Sequence, residues 1–104
     1  MEIHLIENLD NFAKLNNDLW ECGWWKLKEE KARQLIGGKI YFHKSRVEPS
    51  FYGGTIVGYR VENDGQNQGR IVFEFEYNAA CRNIRTDKYG WSMEMKIITE
   101  PKQA

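Results

Sequence analysis

Residues 55–77 constrain the chain most: two stretches, TIVGYRVE (55–62) and RIVFEFEY (70–77), flank the segment NDGQNQG (63–69). In the second stretch Ile71, Phe73 and Phe75 alternate with Arg70, Glu74 and Glu76, the period of a strand with one buried face. The Asn, Asp and Gly between them tolerate positive φ and make a turn. Gly58, inside the first stretch, predicts a bulge or a close backbone approach. This part of the chain is therefore committed to strands.

Further strands are expected at EIHLI (2–6), KIYFH (39–43) and WSMEMKIIT (91–99), the last with Trp91, Met93, Met95 and Ile97 facing inward. KSRVEPSFYGG (44–54) and residues 79–89 read as irregular connections, with the glycine pairs 37–38 and 53–54 as turn chemistry. Two helices are expected before the strand-rich part. The first follows a cap at Asn8 or Asp10, with Leu9, Phe12, Ala13, Leu15 and Leu19 spaced along one face until Gly23 breaks the pattern. The second runs from Lys28 to Ile36, turns Leu27, Ala32, Leu35 and Ile36 inward, and stops at Gly37-Gly38. Two helices followed by four or five strands define an α+β class, expected as a small mixed β-barrel with both N-terminal helices packed at one side. No linker, repeat or low-complexity segment divides the chain, so residues 1–99 form one expected domain and 100–104 a polar tail.

The 104 residues are 41% hydrophobic, enough for a core. Fifteen bases balance fifteen acids, which excludes a histone-like nucleic-acid binder while leaving room for a local basic patch. The charge is indeed uneven: residues 26–46 hold seven bases against two acids, and residues 1–25 hold five acids against one base. No apolar run is long enough to span a membrane, and the acidic start (MEIHLIENLDNF) is unlike a secretory signal, so a cytoplasmic protein without membrane partners is expected.

Cys22 and Cys81 stand far apart without a CxxC pair and read as reduced, buried thiols. Together with His4 and His43 they show no metal-type spacing, so neither a metal nor any other cofactor is expected. Phosphate-loop, dinucleotide, HExxH and GxSxG motifs are absent. His43 ends an apolar strand, where its polar tip meets either a backbone carbonyl or a cavity.

Residues 23–62 combine Trp24 at a helix start, the Ala32-Arg33-Gln34 helix segment, a glycine turn, Ile40–Ser45 with its His-Lys-Ser end, and Ile56–Val61 with an Ile-x-Gly pattern. That order resembles the EVE branch of the PUA-like domains, over about 40 of the 104 residues. The resemblance implies a PUA-like barrel whose pocket holds a nucleotide, in several relatives a modified base. The implied ligand walls are Trp24, Trp25, Phe42, Tyr52 and Trp91, with His43 and Ser45 at the base edge and Lys28, Arg33, Lys44 and Arg46 on phosphate. Such aromatics suit the two π faces of an unpaired base. The implied function is a non-catalytic module for a nucleic acid or nucleotide-like ligand. Two other readings stay open: a small interaction protein that anchors a protein partner through Phe51-Tyr52, and a hydrolase of modified nucleosides built on Lys39, Thr55 and Glu74. The spaced Gly, Lys, Glu and Arg of ASCH-type relatives are missing, which argues against the last.

Overall fold

A computed structural model describes residues 1–99. Its centre is one seven-stranded sheet, ordered β2-β3-β6-β5-β4-β1-β7. The strands are β1 (Glu2–Ile6), β2 (Phe12–Asn16), β3 (Leu19–Trp25), β4 (Lys39–His43), β5 (Tyr52–Val61), β6 (Ile71–Tyr77) and β7 (Met95–Ile98). Among the described residues the one α-helix is α1 (Glu29–Leu35), and short 3-10 turns cover Gly65–Asn67 and Ala79–Cys81. β1 runs parallel to β4, and every other pairing is antiparallel. No described helix is long and apolar enough to cross a membrane.

The expected α+β barrel with two N-terminal helices is not what forms. Where the first helix was expected, β2 and β3 make a hairpin across Asn17-Asp18. Of the expected helical stripe, Leu9 at 79% and Leu15 stay exposed, while Phe12 packs into the core from β2. Another pattern wins, in which Trp20, Cys22 and Trp25 lie opposite Phe75, Phe73 and Ile71 of β6. Cross-strand pairing of large apolar residues outweighs a helical spacing that leaves Leu9 and Leu15 in water. The second expected helix does form. Glu29 and Glu30 sit in its first turn, where carboxylates suit the helix dipole, and Ala32 and Leu35 are buried beneath it. Ile36, expected inward, is exposed.

Two further boundaries move. β5 begins at Tyr52, so Gly53 and Gly54 lie inside a strand rather than in a turn. A Cβ at Gly54 would meet the Glu76 carbonyl oxygen at 2.0 Å, so only glycine allows β5 and β6 to approach there. The last strand is confined to Met95–Ile98. Met93 adopts φ 57° and is 81% exposed, and residues 91–94 form a turn closed by the Ser92–Met95 bridge. At Gly58 the β5–β6 register does shift, as its position in the sequence predicted.

The sheet is strongly coiled. Phe12 on β2 packs edge-on against Phe42 on β4 with ring centroids 4.9 Å apart, although three strands separate them in the sheet. A flat sheet would hold those strands roughly 19 Å apart at about 4.8 Å per step. Phe42, Phe73, Phe75, Ile3, Leu5 and Ile40 fill the interior so formed, and α1 covers part of it. The expected tail at residues 100–104 lies outside the described residues.

Candidate functional site

At the end of β3 the register with β6 shifts between Cys22 and Trp25. The shift separates two adjacent tryptophans. Trp25 packs into the core at 4% exposure, and its buried indole N–H lacks a hydrogen-bond partner of good geometry. Trp24 turns outward at 37% exposure, and its Nε1–H donates to Glu62 Oε1 at 2.9 Å. Glu62 also accepts from Arg60, and Arg60 in turn donates to both carboxylate oxygens of Glu21. The indole hydrogen bond, followed by that of Arg60, holds the Glu62 carboxyl below its ordinary pKa, so the tether is ionised at neutral pH.

Trp24 and Trp25 border a cleft of about 560 Å³, within the range of small-ligand pockets. Its polar lining includes the amides of Asn8, Asn11, Gln66 and Asn67, with Arg70 at one side and Glu7 and Glu94 as the acids. Side-chain amides both donate and accept, the property needed to match the edge of a heterocycle. Arg70 also lines a second cleft, of about 400 Å³, formed by Lys26, Leu27, Lys28, Gln68 and Gly69. That cleft has three cations and no carboxylate among its lining residues. The two clefts share Arg70, at the end of the 65–70 segment.

The other expected site residues lie elsewhere. Phe42 is fully buried between Phe12 and Phe75. His43 is fully buried too, and both ring nitrogens are engaged: Nδ1 donates to the Glu48 carbonyl (2.9 Å), and Nε2 faces His4 Nδ1 at 2.8 Å. The Glu48 carbonyl requires the proton on His43 Nδ1, so His4 Nδ1–H is the donor to His43 Nε2, and His4 Nε2 lies 3.3 Å from Glu2 Oε2. Burial lowers the pKa of each imidazole, that of His4 to about 3, aided by the charges of His43 and Lys96. Trp91 stands edge-on to both histidines, and Tyr41 stacks on His4 at 4.6 Å. His4 also borders a cleft of about 430 Å³ lined by Glu2, Arg85, Asp87 and Lys96, and the buried Trp91 indole N–H has no partner. Tyr52 stacks on Tyr77 and meets Trp20 edge-on, in a third place.

Among the expected phosphate residues, only Lys28 reaches the paired clefts. Arg33 is exposed on α1 and pairs with Glu29. Lys44 lies 4.3 Å over the Phe51 ring, Arg46 donates to the Met93 carbonyl, and Ser45 accepts from Val47 N–H. Sequence reasoning missed Lys26, Arg70, Gln66 and Asn67. The polar turn 63–69 was legible as a turn, but which cleft it closes depends on the sheet order.

For the hydrolase reading, Lys39 Nζ does donate to Thr55 Oγ1 at 2.8 Å. Neither cysteine offers a nucleophile: Cys22 donates to Glu7 Oε2 at 3.3 Å, and burial, reinforced by the Glu7 charge, raises its pKa. Cys81 is likewise raised by burial. Both are free thiols. Among the described residues no group of three or more His, Cys, Asp or Glu gathers as a metal site.

No family model matches the chain, and no curated protein or solved structure matches it either.

Proposed function

We propose that the protein binds a nucleotide unit, free or within a nucleic acid, without transforming it. The base lies against Trp24 in the larger cleft, its edge met by the amides of Asn8, Asn11, Gln66 and Asn67, and the phosphate lies at Lys26, Lys28 and Arg70. The observation that carries this reading is the shared wall at Arg70, which joins an aromatic, amide-lined cleft to one whose charged residues are all basic. Stacking on an aromatic ring contributes about 1–3 kcal/mol per base, and cationic contacts to phosphate make binding salt-dependent. The resemblance of residues 23–62 to EVE-type domains points to the same ligand class, including a modified base. Two free, buried thiols fit a cytoplasmic setting.

Tryptophan fluorescence titrated with nucleoside monophosphates and short oligonucleotides at two salt concentrations tests the proposal. Saturable quenching that weakens with salt and drops sharply in Trp24→Ala is expected. Unchanged fluorescence with every ligand would remove it.

One observation favours a protein partner as the second reading. Leu9, Val47 and Met93 are exposed on three loops that hydrogen bonds hold together at one end of the sheet: Lys44 donates to the Glu7 carbonyl, and Arg46 to that of Met93. A stoichiometric protein recovered with the wild type and lost in Met93→Asp would support it.

A further inference from the structure

Trp24 borders not one cleft but two. The second is a pocket of about 310 Å³ that shares Asn11, Gly23 and Trp24 with the larger cleft and adds Phe12, Val72 and Arg60. The indole is therefore a partition. Its position is fixed at both ends: the backbone is held where β3 breaks register with β6, and Nε1–H is bound to Glu62, itself held by Arg60. The wall on the far side of Trp24 is apolar at Phe12 and Val72. The charges lining this pocket are the acids Asp10 and Glu21 and the base Arg60, and Arg60 is already paired with Glu21 and Glu62. Such a pocket disfavours a phosphate and accommodates an aromatic ring.

Arg70 is thus common to the basic cleft and the amide-lined one, and Trp24 to the amide-lined cleft and one suited to a ring. A free mononucleotide occupies only the first two. We propose that the ligand is a single-stranded polynucleotide segment of at least two units, with Trp24 wedged between successive bases. This rests on the nucleotide reading above and names its substrate class. A ring held in place stacks with little ordering cost, and each base stacked adds about 1–3 kcal/mol, an affinity gain of roughly tenfold or more. Glu62 is then a positioning residue, acting on the ligand only through the indole.

The test compares four ligands by fluorescence and calorimetry on the whole chain: a nucleoside monophosphate, the corresponding dinucleotide, the trinucleotide, and a dinucleotide whose second base is missing. The dinucleotide should bind at least about tenfold more tightly than the monophosphate, while the abasic analogue, with the same added phosphate, should gain little. Trp24→Ala should abolish the gain from the second base. Glu62→Ala, which keeps the ring and removes its tether, should reduce that gain and increase acrylamide quenching of the tryptophan emission. Equal affinity for monophosphate and dinucleotide, with both weakened by Trp24→Ala, would overturn the wedge and leave the nucleotide reading standing. A full gain with the abasic analogue would do the same. Binding of none of the four would overturn both.

Discussion

The Trp24 cleft and the His4–His43 cluster are built from similar parts, aromatic rings and polar groups at strand ends, yet they spend those parts differently. In the cluster, the histidines hydrogen-bond to each other and to the Glu48 carbonyl, Tyr41 covers one imidazole face, and Trp91 closes against both rings. The imidazole nitrogens all meet protein atoms, and the Trp91 indole N–H, though without a partner, is buried. At the cleft, the tryptophan N–H is consumed by Glu62, but the ring borders open space, and the amides and Arg70 line it. Residue types alone predict either outcome. Burial separates the two: both imidazoles are shut away from solvent, whereas Trp24 is 37% exposed beside its cleft.

The largest expected effect comes from treating a core residue as if it were a ligand wall. Phe42→Ala should cost about 3–5 kcal/mol of stability in urea unfolding, because the ring is fully buried against Phe12 and Phe75. A loss below about 1 kcal/mol would mean that Phe42 is not core.

Acidification should strike the histidine cluster and spare the cleft. Both imidazoles are held neutral by burial, with pKa values below the ordinary 6.5, whereas the unfolded chain takes up protons near that value. Their contribution is therefore complete above about pH 6.5 and is lost as pH falls from there toward about 3 for His4. Each histidine should lower stability by up to about 1.4 kcal/mol per pH unit within its window. Thermal melts from pH 7 to 4 check this. His4→Gln should flatten the slope, and an unchanged slope would contradict the buried, neutral pair.

Trp24→Ala should do the reverse of Phe42→Ala, leaving the melting temperature nearly unchanged while weakening ligand binding by about 1–3 kcal/mol. The smallest effect is electrostatic. Replacing Lys26 or Lys28 by Gln should reduce the salt dependence of binding by a slope of about 1 per residue, with little change in which base is preferred. Arg33→Gln should leave that slope alone, since its guanidinium faces Glu29 on the outer side of α1.

How far the sequence could be read follows from the same contrast. β1, α1, β4 and β6 were legible because each carries a local pattern that its packing then honours, as with Ile71, Phe73 and Phe75. The β2–β3 hairpin was not, because Leu9, Phe12, Ala13, Leu15 and Leu19 mimic a helical stripe, and only the partner strand decides that Trp20 and Cys22 are the residues to bury. Gly53 and Gly54 look like a turn until β5 and β6 are seen to need the space. Trp24, Trp25 and Lys28, implied by the resemblance, do line the paired clefts. Lys26 and Arg70 join them only because the 65–70 turn folds beside the end of β3, a contact between segments some forty residues apart in sequence.

Chemical-shift mapping tests the central claim most directly: uniformly 15N-labelled protein titrated with a short single-stranded oligonucleotide, following backbone amides and the four indole N–H signals. The account predicts that perturbations concentrate on the Trp24 indole, residues 66–70 and Lys26 to Lys28, while the Trp91 indole and residues 43–48 stay still. Perturbations centred on His43, Tyr52 and Trp91, with the Trp24 indole unmoved, would contradict it.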